Sequence, residues 1–91
     1  MPKPIHFTFH ARERMRSRRA TVEEVETVIR CAPWQQAEQG RQTAALGFPF
    51  RNQHFGRYYK SKEVVPIFVE EAERILVITV YTFFSQREVQ P

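Results

Sequence analysis

His10, Arg14 and Arg18 recur at intervals of four residues. On a helix this spacing stacks the side chains in one line, with a drift of about forty degrees per step. Three cationic or ionisable groups in such a line repel one another unless an anion lies alongside, and a phosphodiester backbone is such an anion. Arg12, Arg16 and Arg19 form a second stripe that widens the basic surface. An imidazole takes or gives a proton near neutral pH, and planar guanidinium forks pair with phosphate oxygens. The set can therefore grip a phosphate ester and do acid–base work on it. The plainer alternative is a solvated helix face whose charge is partly offset by Glu13 and nearby carboxylates. His10, at a strand-to-helix junction, can instead serve as a cap.

Two further groups have chemistry to offer. His54-Phe55-Gly56-Arg57-Tyr58-Tyr59-Lys60 interleaves basic and aromatic residues, which suits phosphate contact combined with base stacking. On one strand, His54, Gly56, Tyr58 and Lys60 would share a side, leaving Phe55, Arg57 and Tyr59 on the other. Read plainly, this is an amphipathic sheet edge with Phe55 and Tyr59 in the core. Thr79 and Tyr81 lie two apart in a strongly apolar strand and point the same way. They are either packing groups with one satisfied hydrogen bond or a phosphate-holding hydroxyl beside a proton donor or stacking ring.

Other chemistries find no footing. The chain has no glycine-rich phosphate loop, no helical His-x-x-x-His pair and no nucleophile elbow. His6 and His10 are four apart, but the residues between them read as strand and no third ligand is in view. Cys31, the single cysteine, excludes an internal disulfide framework and closes an apolar helix, as a buried structural thiol would. No metal or cofactor is expected.

The elements that must position these groups fit one domain spanning residues 1–91. Ninety-one residues, 42% hydrophobic and 26% charged, have ordinary globular proportions. A chain this short buries only roughly two-thirds of its unfolded surface, so eight Phe, three Tyr and one Trp must make a dense core. Charge is lopsided: the overall balance is +4, yet residues 1–20 alone carry a net +5, and eleven of fourteen basic residues are Arg. No apolar run approaches the ~18 residues that span a bilayer, and no leader-like segment opens the sequence, so a soluble cytoplasmic protein is expected.

Residues 5–9 alternate apolar and polar, which predicts a strand with Ile5, Phe7 and Phe9 facing the core. A short helix follows at about 11–18. Thr21 and Glu24 form a capping box that opens a second helix, with Val22, Val25, Val28 and Ile29 on one face, before Ala32-Pro33 stops it. Trp34 anchors the chain after that helix, and residues 35–42 read as a polar loop. Residues 43–48 and 55–60 have strand content, and 51–53 read as a turn between them. Residues 64–69 and 74–84 form a hairpin with Glu70-Glu71-Ala72-Glu73 at its tip. Pro66 places the first of these strands at an edge or bulge. Residues 75–81 make the central strand, covered on both faces. The order predicts an α+β fold with two N-terminal helices packed on an antiparallel sheet of about four strands.

The stretch from His10-Ala11 through Arg14-Met15 and Arg18 to the Thr21-capped helix, with the closing Ile78-Thr79-Val80-Tyr81, resembles a small bacterial family catalogued as a domain of unknown function (four-two-five-eight). The likeness runs over nearly the whole chain, though its middle matches only in strand content. One position departs: Arg19-Ala20 stands where that family has a Gly-Ile turn, losing a left-handed turn residue and an apolar plug. The family is similar in fold to RelE-like and barnase-like ribonuclease toxins, compact α+β domains that cleave RNA without metal. The resemblance implies His10 as general acid or base, Arg14 and Arg18 as phosphate and transition-state stabilisers, and Thr79 with Tyr81 at the scissile site. It also implies RNA as the partner and a protein antitoxin over the basic face. A binding module without chemistry is the rival expectation, as is a homodimer that buries Phe83 and Phe84 along a sheet edge.

Overall fold

The computed structural model describes residues 2–89. The chain runs β1 (Ile5–Phe7), α1 (Phe9–Arg18), α2 (Val22–Cys31), β2 (Gln35–Gln36), β3 (Gln42–Thr43), β4 (Leu46–His54), β5 (Arg57–Glu70) and β6 (Ile75–Ser85), with a single 3-10 turn at Glu38–Gly40. The class is α+β, as the order of elements implies. The sheet, however, has six strands rather than about four, in the order β1-β6-β5-β3-β2, with β4 also on β5. It is mixed rather than antiparallel: β1 runs parallel to β6, pairing Ile5 with Ile75 and Phe7 with Val77. β2 and β3 are two residues each, too short to leave a period in the sequence.

Thr8 decides how the chain leaves β1. Its hydroxyl oxygen accepts from the Ala11 amide at 3.0 Å, making it the N-cap of α1. The alternation therefore ends at Phe7, and the helix starts two residues earlier than its apolar spacing suggests. Phe9, expected in the core, becomes the first helical residue and is 76% exposed. Ala11 and Met15 form the buried stripe of α1. At the far end, Arg19 has a left-handed backbone (φ 63°), and the amides of Arg19 and Ala20 both reach the Met15 carbonyl. The turn thus keeps the conformation that glycine adopts freely, at a cost of about 1 kcal/mol for a residue with a Cβ.

α2 opens with both capping-box bonds, Glu24 amide to Thr21 Oγ1 at 3.1 Å and Thr21 amide to Glu24 Oε1 at 3.0 Å. Val25, Val28 and Ile29 are buried in a core shared with Val64, Phe68, Val77 and Val80 of the sheet. Trp34 locks this layer: its indole N–H donates to the Ile29 carbonyl at 2.7 Å and its ring meets Phe68 edge-on at 4.9 Å. Cys31 is exposed, not buried. It lies about 120° around the helix from Val25, off the apolar stripe.

β5 rather than β6 is the central strand. It is one 14-residue strand that unites the two predicted ones, and it pairs β6 on one side and β4, then β3, on the other. Pro66 is fully buried, in the gap between the β4 partner Leu46–Val64 and the β3 partner Thr43–Ile67, so its missing N–H leaves no ladder bond unmade. β4 runs through residues 51–53 to His54, with a bulge between Pro49 and Asn52 where Arg51 has φ 48°. Among the described residues no helix is long and apolar enough to cross a membrane.

Candidate nucleic-acid interface

Beyond Val77, no strand among the described residues pairs with the outer side of β6, and α1 lies along that edge instead. The Thr8 hydroxyl donates to the Ile78 carbonyl at 3.1 Å, the Arg18 Nη1 to the Val80 carbonyl at 2.8 Å, and the Thr82 hydroxyl to the Arg18 carbonyl at 2.9 Å. Helix and strand therefore run in the same direction, and side chains satisfy backbone groups that a bare edge would offer to another chain. Val80 is fully buried toward the helices, so Tyr81 emerges on the opposite face and is 42% exposed. Arg18 reaches round the edge, placing its guanidinium 4.8 Å from the Tyr81 ring centroid. With Nη1 committed to Val80, its remaining N–H groups are available to a ligand lying across Tyr81.

Tyr81 also walls a groove of about 450 Å³ together with Ile67, Ala37, Glu38, Gln39 and Arg41. The last four come from the β2–β3 hairpin, whose tip turns through left-handed Gln39 (φ 61°) and Gly40 (φ 71°). Spacing singles out neither Glu38 nor Arg41, since their segment reads only as a polar loop. The one local signal is Gly40 beside Arg41, a turn residue that brings a charged neighbour back over the sheet. Thr79 shares Tyr81's side by alternation and is buried.

His10 and Arg14 are exposed on α1, and among the described residues neither side chain has a hydrogen-bond or ion-pair partner. Along the helix axis Arg14 is about 6 Å, and His10 about 12 Å, from Arg18. The ladder exists, but Arg18 is the member that meets Tyr81. Arg12 packs over Phe7 (5.3 Å) and Arg16 is exposed, whereas Arg19 turns toward the β4–β5 arm, lying 5.2 Å over Phe50 and donating to the Gln53 carbonyl at 3.2 Å. Among the described residues, Glu13 forms no ion pair with any of these arginines, and none of the five has a carboxylate within 4 Å.

The second basic segment is a hairpin arm rather than one strand. Phe55 (φ 51°) and Gly56 (φ 76°) form the turn, so His54 pairs opposite Arg57 and the expected division of sides does not hold. Phe55, expected in the core, is 92% exposed at the tip. His54 stacks on Phe84 at 4.2 Å, and Phe50 and Tyr59 close on the same ring at 4.9 and 5.3 Å. Arg57 lies 5.7 Å over Tyr59, Tyr58 is half exposed, and Lys60 comes 3.9 Å from Glu88. Of the two rings offered for a homodimer surface, Phe83 is exposed and Phe84 is enclosed in this cluster. Lys62, 6% exposed, joins the two basic regions: it pairs with Glu24 at 2.8 Å and donates to the Arg19 carbonyl.

Comparison with protein-family models, with curated proteins and with solved structures finds no match for the chain.

Proposed function

We propose that this chain is an RNA-binding domain and that it cleaves the bound strand by metal-independent transesterification. The observation that carries the reading is that Arg12, Arg14, Arg16, Arg18 and Arg19 have no carboxylate partner among the described residues, and that one of them, Arg18, meets the exposed ring of Tyr81. The ladder's pitch of about 6 Å is on the scale of the step between successive phosphates of an extended strand. Arg14 holds the backbone next to Arg18, Arg12 and Arg16 add positive field from the other side of the helix, and Tyr81 gives one base or ribose a surface to lie on. At the phosphate beside Tyr81, the ribose 2′-hydroxyl attacks phosphorus, the 5′-oxygen of the next nucleotide leaves, and a 2′,3′-cyclic phosphate remains. Arg18 stabilises the charge on the phosphorane, Thr79 backs Tyr81 on the same face of β6, and His10, two turns away, takes the 2′-hydroxyl proton and returns one to the leaving 5′-oxygen by way of water.

The axial offset of His10 from Arg18, about 12 Å, favours a second reading in which the same surface binds RNA without cutting it. One assay separates the two. Single-stranded RNA is incubated with the protein in excess chelator, and cleavage and binding are both read for wild type, His10→Ala and Tyr81→Phe. Chelator-resistant products ending in cyclic phosphate, lost in His10→Ala while salt-sensitive binding persists, support the enzyme. Binding without products leaves the binding module, and neither binding nor cleavage overturns both.

A further inference from the structure

Two cations of the β4–β5 arm, Arg51 and Lys60, unlike the arginines of α1, already hold an anion. Glu88, in the segment after β6, places Oε2 3.1 Å from Arg51 Nη2 and Oε1 3.9 Å from Lys60 Nζ. One carboxylate thus spans two cations on adjacent strands, one oxygen to each. Arg51 stands where it does because the β4 bulge holds it at φ 48°, a conformation a non-glycine residue seldom adopts. The segment is steered there by three other contacts. The Gln86 side-chain amide donates to the Tyr58 carbonyl at 2.6 Å, the Arg87 amide to Ser85 Oγ at 3.0 Å, and Val89 rests 3.6 Å from where a Cβ on Gly47 would lie. On the same arm stand exposed Phe55, at its tip, and half-exposed Tyr58, rings suited to bases.

We infer that Arg51 and Lys60 form a second phosphate site, which Glu88 occupies in cis until the backbone of a single-stranded RNA displaces it. The inference rests on the RNA-binding reading above and adds a self-inhibiting contact to it. All three side chains are about half exposed or more, so the pair is weak and salt-screened, as a displaceable occupant must be. The carboxylate supplies one negative charge and two acceptor oxygens, which is what a phosphodiester would present at the same place.

The test measures binding of a fluorescent single-stranded RNA of mixed sequence by anisotropy across a salt series. Glu88→Gln removes the charge and keeps the shape. It should tighten binding by about 1.5- to fivefold, the range one exposed ion pair commands, and steepen the salt dependence by about 0.7. Glu73→Gln, at the β5–β6 tip, makes the same change in net charge and should have no such effect. Adding Arg51→Gln and Lys60→Gln to Glu88→Gln should abolish the gain. Equal affinity for wild type and Glu88→Gln, an equal gain in Glu73→Gln, or a gain that survives loss of Arg51 and Lys60 overturns the second site and leaves the α1 reading intact. Failure of wild type and Glu88→Gln alike to bind RNA overturns both.

Discussion

The guanidinium groups of α1 and the cations of the β4–β5 arm have the same charge but different company. Around α1, arginines end on backbone carbonyls and ring faces: Arg18 on Val80 and Tyr81, Arg19 on Gln53 and Phe50. On the arm, Arg51 and Lys60 share the carboxylate of Glu88. A carbonyl or a ring fixes where a guanidinium sits without cancelling its charge, whereas a carboxylate does both. The helix edge is therefore a standing positive field, and the arm is one that must be uncovered. The two are joined at Lys62, whose ammonium bridges Glu24 of α2 and the carbonyl that ends α1, beneath Phe50 of the arm.

That joint should give the largest effect. Lys62→Ala leaves Glu24 partly buried without its cation and the Arg19 carbonyl short of a donor, which should cost about 2–3 kcal/mol in urea unfolding. A loss below about 0.5 kcal/mol would mean that the two regions are not coupled through it.

Arg14→Ala with Arg16→Ala should weaken single-stranded RNA binding about tenfold at low salt and reduce the salt slope by about 1.4, with unfolding changed by less than ~0.5 kcal/mol. An unchanged slope would remove α1 from the interface. Phe55→Ala should lower RNA affinity about fivefold or more, as loss of one stacked base would, while the exposed side chain leaves stability alone. Equal affinities would reduce the arm to scaffold. The smallest effect belongs to Arg19→Gly. Relief of the left-handed backbone, worth about 1 kcal/mol, offsets loss of the Gln53 and Phe50 contacts, so the melting temperature should barely move while RNA affinity falls about twofold.

Legibility in the sequence followed the range of the interactions involved. The α2 start was readable because Thr21 and Glu24 cap each other within three residues, and the β5–β6 hairpin because its strands are long and joined by a polar tip. Phe9 misled because alternation continues past Thr8 in sequence, while Thr8 is recruited by Ile78 and Ala11 to end the strand. Phe55 misled because its partner across the turn is not a periodicity but a pair of positive φ angles. The pairing of Arg18 with Tyr81 was legible as residue types, but the reason for it, an unpaired strand edge closed by a helix, depends on residues more than sixty apart. Glu38 and Arg41 were illegible as site residues, since only the fold of β2 and β3 over Ile67 brings them to Tyr81.

The binding mode that everything else depends on is a polyanion lying along α1 and ending at Tyr81. Titrating isotope-labelled protein with single-stranded RNA in chelator, and following backbone and arginine side-chain resonances, tests it most directly. The largest shifts are expected at residues 10–19, Arg41 and Tyr81. Shifts confined to the outer face of α2, or none at saturating RNA, would contradict it.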